Sequence, residues 1–170
     1  MKKLSELKII KINDNFINSY LDSRNSVNVR NKMINKNKIS KLDHYIWWFK
    51  NMKRANFALK KFNEILIFFW HKKIIINKKK FFIGGWWPNS KNVKIYHILY
   101  TLKKQLKITQ KHKNIPWLAV IKKSNKFTIE LNKNLGFQVI NYKHNYFKYI
   151  KKEFKVSNKK YYYLIYNYSR

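Results

Sequence analysis

Residues 115–141 read IPWLAVIKKSNKFTIELNKNLGFQVIN, and this stretch decides the fold. Residues 117–121 are a continuous apolar run of strand length, opened by Pro116, which suits a strand's first position. Ser124 or Asn125 stands where a helix N-cap belongs, with a side-chain oxygen for the first free N–H groups. Phe127, Leu131 and Leu135 recur every four residues, which gives a short helix one apolar face. Gly136 follows directly, as the residue that closes a helix in the left-handed conformation. Phe137, Val139 and Ile140 then open a second strand. The pattern predicts strand, helix, strand, with the two strands a parallel pair joined by a helical crossover.

These residues also carry a family resemblance. Asn125, Thr128, Leu131, Leu135, Gly136 and Phe137 resemble, in order and spacing, the N-x-x-[ST]-x-x-L-x-x-x-L-G-F signature of the GNAT acyltransferase superfamily. A second segment, SRNSVNVRNKMINKNKISKLDHYIWWFKNM at residues 23–52, is similar to a pattern near the N-terminus of one GNAT branch. Its carriers are Arg24 and Asn25, then Val29, Arg30 and Met33, then Ile39, Ser40, Asp43, His44, Trp47 and Trp48. That branch includes amino-sugar N-acetyltransferases and enzymes that acetylate protein N-termini. The resemblance implies a single α/β domain with a mixed, mostly antiparallel sheet flanked by helices. It also implies acetyl-CoA as co-substrate and a primary amine as acceptor, with a nucleotide-linked amino sugar as the specific case.

Composition bounds the alternatives. A chain of 170 residues, 45% hydrophobic and 18% aromatic, suits one domain with a real core despite its charge. The formal net charge of +32 is extreme, and only seven residues are acidic. Heavy use of Lys, Asn, Ile, Phe and Tyr has the look of AT-rich coding, but that bias does not explain so few acids. A field of this size attracts polyanions, nucleic acid among them. There is no cysteine, hence no disulfide, thiolate metal site or cysteine nucleophile. The five histidines are scattered without ligand spacing, so no metal is expected. The N-terminus lacks a signal-peptide core, and residues 65–70, the longest apolar run, are too short to span a bilayer. A soluble, cytoplasmic protein is the expectation.

Along the chain, residues 4–12 alternate as a first strand, and residues 16–21 begin a helix. Ser40 caps a further helix with Asp43 in capping-box position, and Leu42, Tyr45, Ile46, Trp48, Phe49 and Met52 share a broad apolar face. Residues 57–62 and 65–70 read as strands, and residues 73–76 and 81–87 as a hairpin turning at residues 77–80. Residues 94–111 form a long helix, and residues 142–151 and 161–168 read as closing antiparallel strands.

In the family the coenzyme pyrophosphate lies on a glycine-rich loop that enters the helix after the fourth strand. Backbone N–H groups and the helix dipole favour an anion there. The corresponding loop, WWPNSKNVK at residues 86–94, holds no glycine. The resemblance assigns cofactor binding to Trp87, Asn89, Ser90, Lys91, Asn92, Val93 and Lys94, with Asn125 on the later helix. Lys91 and Lys94 would supply point charges in place of tight backbone wrapping. Asn132 stands where many members carry a tyrosine that protonates the leaving thiolate, and an amide has no matched pKa for that task. His44, in the N-terminal motif, is the candidate base, with packing beside Trp47 and Trp48 as its other reading. Glu64 and His71, at the ends of a strand, are further candidates, and His97 reads as a surface residue. Of Trp86 and Trp87, one should face the core. The rival class is a non-catalytic RNA-binding or ribonucleoprotein component on the same scaffold.

Overall fold

The computed structural model describes residues 6–51 and 53–168. Along them run β1 (Leu7–Lys11), α1 (Ile17–Asn25), α2 (Val27–Arg30), α3 (Lys41–Lys50), β2 (Ala55–Lys61) and β3 (Glu64–Ile76). Then follow β4 (Lys79–Pro88), α4 (Ile95–Thr109), β5 (Trp117–Lys122), α5 (Lys126–Asn134), β6 (Gln138–Ile140), α6 (Phe147–Phe154) and β7 (Tyr161–Tyr166). The strands form one seven-stranded sheet in the order β1-β2-β3-β4-β5-β7-β6. β4 and β5 are parallel, through Phe82↔Trp117 and Ile83↔Leu118. The pairs β1/β2, β2/β3, β5/β7 and β6/β7 are antiparallel. The expected class, α/β with a mixed and mostly antiparallel sheet flanked by helices, is the one observed.

The chain divides into two compact units, one of residues 6–71 and 85–104, the other of residues 72–84 and 105–168. In the first, Tyr20 is the hub: its ring meets Trp87 at 4.8 Å, Phe68 at 5.1 Å and Trp48 at 5.5 Å between centroids. In the second, strand alternation sorts the core onto two sheet faces. Tyr163 and Ile165 of β7 pack with Ile150 of α6, while Leu164 packs with Ile129 of α5 and with Phe137.

Several expectations are corrected. β5 and β6 are not neighbours, because β7 lies between them, pairing with β5 along its whole length and with β6 through Tyr163, Leu164 and Ile165. Residues 147–154 are helix α6 rather than strand; Phe147, Ile150 and Phe154 recur at helical spacing, and that period outweighs the β propensity of the tyrosines. Residues 64–76 are one unbroken strand. On α5 the buried residues are Ile129, Leu131 and Asn132, while Phe127 is exposed. Leu42, Ile46 and Phe49 of α3 are exposed as well. Leu4 of the expected first strand and Met52 lie outside the described residues.

The β3–β4 hairpin turns on Asn77 and Lys78, both at positive φ (46° and 64°), as a two-residue primed turn requires. Asn tolerates this conformation, whereas the lysine Cβ is strained against its own carbonyl. Lys78→Gly is therefore expected to stabilise the protein by about 0.5–1 kcal/mol, the strain relief exceeding glycine's chain entropy. An unchanged urea midpoint would count against this account.

Candidate functional site

The loop after β4 is strapped to β3. The Asn89 and Ser90 N–H groups both donate to the Leu66 carbonyl, at 2.7 and 3.3 Å, and Asn89 Nδ2 donates to the Ile65 carbonyl at 2.9 Å. The Asn92 N–H donates to Ser90 Oγ at 2.9 Å. Ser90 Oγ in turn donates to the Glu64 carboxylate, which also accepts from Asn92 Nδ2 at 3.2 and 3.4 Å. The Lys94 N–H donates to His97 Nδ1 at 3.0 Å, so His97 caps the start of α4 with its own ring. That bond places the His97 proton on Nε2, a buried N–H with no acceptor among the described residues. Burial holds the His97 pKa below its ordinary value, helped by Lys61 and Lys94. His97 is only 3% exposed, a correction to its reading as a surface residue.

The loop's amides are thus largely spent within the protein. Those of Lys91 and Val93 have no acceptor among the described residues, and the Lys91 and Lys94 side chains are exposed. An anion arriving at α4 meets two ammonium groups and few free amides. It also meets Glu64 on the donors of Ser90 and Asn92. Trp87 contributes no exposed ring: it is 4% exposed and its Nε1 donates to Ser23 Oγ at 3.1 Å. Trp86 is half-buried.

The residues of the later signature have visible structural jobs. Asn125 Oδ1 accepts from the Thr128 N–H at 3.3 Å, which makes Asn125 the N-cap of α5. Gly136, at φ +92°, closes the helix, and the Phe137 N–H returns to the Asn132 carbonyl at 3.0 Å. Asn132 is buried, and its Nδ2 donates to the Thr128 carbonyl at 2.8 Å.

Much of the N-terminal motif is architectural too. Asn25 grips the backbone of Ile39 with both ends of its amide, at 2.8 and 2.9 Å. Ser40 caps α3 as expected, its Oγ accepting from the Asp43 N–H at 3.0 Å, and the Asp43 carboxylate accepts from the Ser40 hydroxyl at 2.7 Å. His44 is 2% exposed, stacks on Trp47 at 5.5 Å, and its Nε2 lies 3.1 Å from the Ile17 carbonyl, where it donates. Burial lowers its pKa. That bond pins α3 to α1 through His44. Arg24 Nη2 donates to the Asn35 carbonyl at 2.7 Å, yet Arg24 Nη1 and Arg30 Nε are buried without acceptors among the described residues.

Sequence reasoning missed Arg54. Its guanidinium lies 3.7 Å from the Trp70 ring centroid and 4.7 Å from that of Trp47, and it donates to Tyr20 Oη and to Asn56 Oδ1 at 2.5 and 2.9 Å. Desolvation pulls its pKa down to about 10 and pushes Tyr20 up to about 12. The signal was there: the chain has four arginines among 39 basic residues, so one beside a Trp-rich helix stands out. The second unit holds a cavity of about 410 Å³ at the starts of β4 and β5, lined by Lys79, Pro116, Lys143, His144, Tyr146 and Asn167. Among the described residues no helix is long and apolar enough to cross a membrane.

No family model and no curated protein matches the chain. The fold itself is shared with solved GNAT N-acetyltransferases. N-acetyltransferase PseH of Campylobacter jejuni aligns with TM-score 0.62 and 14% identity, over 96% of this chain and 99% of its own. The protein yncA of Salmonella typhimurium, solved with its cofactor acetyl-CoA, aligns with TM-score 0.72 and 9% identity over 97% and 95%. FdhC, a nucleotide-linked sugar GNAT, aligns with TM-score 0.69 and 13% identity over 95% and 86%.

Proposed function

We propose that the protein is an N-acetyltransferase, working as one domain in the cytoplasm, that moves an acetyl group from acetyl-CoA to a primary amine. The observation that carries this reading is the GNAT sheet, with the cationic loop of Lys91 and Lys94 leading into the 15-residue helix α4. The pyrophosphate would take the Lys91 and Val93 amides and both ammonium groups. Glu64 would release Ser90 and Asn92 as it enters. The substrate amine attacks the thioester carbonyl; the C–N bond forms, the C–S bond breaks, the nitrogen loses its surplus proton to water, and CoA leaves as its thiolate. The Asn132 amide, held by Thr128, supplies no proton. Catalysis then rests on positioning, which alone lowers such a barrier greatly.

A nucleotide-linked amino sugar is the acceptor we favour. The unmatched N–H groups of Arg24 and Arg30 suit its anionic diphosphate, and FdhC offers a precedent on this fold. One observation favours the rival reading of a catalytically silent RNA binder: a carboxylate already fills part of the phosphate loop of a chain with net charge +32. Calorimetric titration of acetyl-CoA at about 150 mM salt, with ATP and tRNA as polyanion controls, separates the two. Saturable one-to-one binding of acetyl-CoA, with ATP much weaker, is the expected result. Tight tRNA association without selective coenzyme binding would sink the enzyme.

A further inference from the structure

Helix α3 has two apolar faces, and only one is covered. His44, Trp47 and Trp48 turn inward around Tyr20. Leu42, Ile46 and Phe49 turn outward and remain 69%, 45% and 59% exposed. At about 100° per residue, these three and Tyr45 fall on one stripe roughly 100° wide. The same helical geometry puts Lys41 along one border of the stripe and Lys50 along the other. Asp43, also on the Lys50 side, is tied to Ser40 at 2.7 Å. The segment leading into α3 adds exposed Val27 and Ile34 (57% and 54%), interspersed with exposed Lys32, Lys36 and Lys38.

We infer that this face docks on an anionic phospholipid surface. Large apolar side chains at helical spacing, left in water, mark a contact surface rather than chance exposure. Charge complementarity chooses the occupant. Lysines bound the stripe on both sides, and its one acid is already engaged. A second copy would set lysine against lysine across a two-fold axis, with +32 on each partner. An anionic bilayer instead offers acyl chains to Leu42, Ile46 and Phe49 and headgroup phosphates to Lys41 and Lys50. The helix, about 15 Å long, lies in the interface rather than across it. Tyr45 Oη donates to Asn18 Oδ1 at 2.6 Å, which fixes one edge of the stripe to α1.

The test is co-sedimentation of the full chain with phosphatidylcholine vesicles, with and without phosphatidylglycerol. The protein is expected to pellet with the anionic vesicles alone. Leu42→Ser/Phe49→Ser is expected to weaken that binding at least tenfold while leaving the urea midpoint in place, since both residues are exposed. Equal binding by this variant would overturn the proposal, because net charge alone would then account for the interaction. Failure of the unaltered protein to pellet with anionic vesicles would overturn it as well. So would a concentration-dependent dimer, seen by sedimentation velocity, that the double substitution abolishes.

Discussion

Between pH 6.5 and about 4 the protein is expected to lose on the order of 3 kcal/mol of stability through His71 alone. His71, near the middle of β3, is 8% exposed and stacks on Phe57 at 5.3 Å. Burial lowers its pKa from 6.5 to about 4. Above pH 6.5 neither the folded nor the unfolded chain protonates this ring, and its contribution is fully present. As the pH falls, the unfolded chain gains a proton that the folded one refuses, so stability drops until about pH 4 and then levels. His44 and His97 are depressed in the same direction, with burial the first cause for each. All three lie in the unit of residues 6–71 and 85–104, which also holds five of the six tryptophans. Tryptophan emission therefore reports mainly the unit that should fail first. Urea titrations at pH 7 and near pH 4.5 measure the loss. His71→Phe, which keeps an aromatic ring beside Phe57, is expected to remove at least half of it. An equally steep pH dependence in that variant would exclude His71 as the source.

How much of this was legible beforehand follows from how local each feature is. Asn125, Gly136 and the Asn77 turn are decided by their own backbone, so cap, helix end and hairpin could be read directly from spacing. The insertion of β7 between β5 and β6 is not local. Nothing in residues 115–141 says which distant strand will claim the β5 edge, so the expected parallel pairing of β5 with β6 fails there. Helix α6 was hidden by its composition, since Tyr146, Phe147 and Tyr149 carry β propensity, and only the burial of Ile150 and Phe154 against the sheet settles the period. On α3 the sequence shows abundant apolar residues but not which face is inside. That depends on Tyr20, which attracts the Trp47 and Trp48 side and leaves Leu42, Ile46 and Phe49 in water.

The site divides in the same way. Lys91 and Lys94 were visible as charges at a helix start. That Glu64 would bond Ser90 and Asn92 was not, because its reach depends on the register of β3 against the loop. Arg54 was equally invisible, since its partners Tyr20, Asn56 and Trp70 are brought to it by three separate elements.

Reversing the two loop charges, in Lys91→Glu/Lys94→Glu, is expected to weaken acetyl-CoA binding about 100-fold, near 2.7 kcal/mol. The fold should tolerate the change, because acidic residues at a helix N-terminus complement its dipole. Glu64→Gln is expected to act the other way. The neutral amide can still bond Ser90 and Asn92, but the negative charge beside the incoming pyrophosphate is gone. Its exposed position lets the native carboxylate swing aside, so the gain should be about tenfold rather than larger. Opposite signs from two nearby substitutions are hard to obtain from a change in folding, and calorimetry reads both directly. The rival reading predicts otherwise for the same variants. An RNA held by a field of +32 would barely register the loss of two lysines, and Glu64→Gln would leave its affinity within error. If acetyl-CoA affinity ignored all three positions while RNA binding stayed strong, the loop after β4 would be no phosphate site, and the GNAT sheet would be serving as a scaffold for nucleic acid.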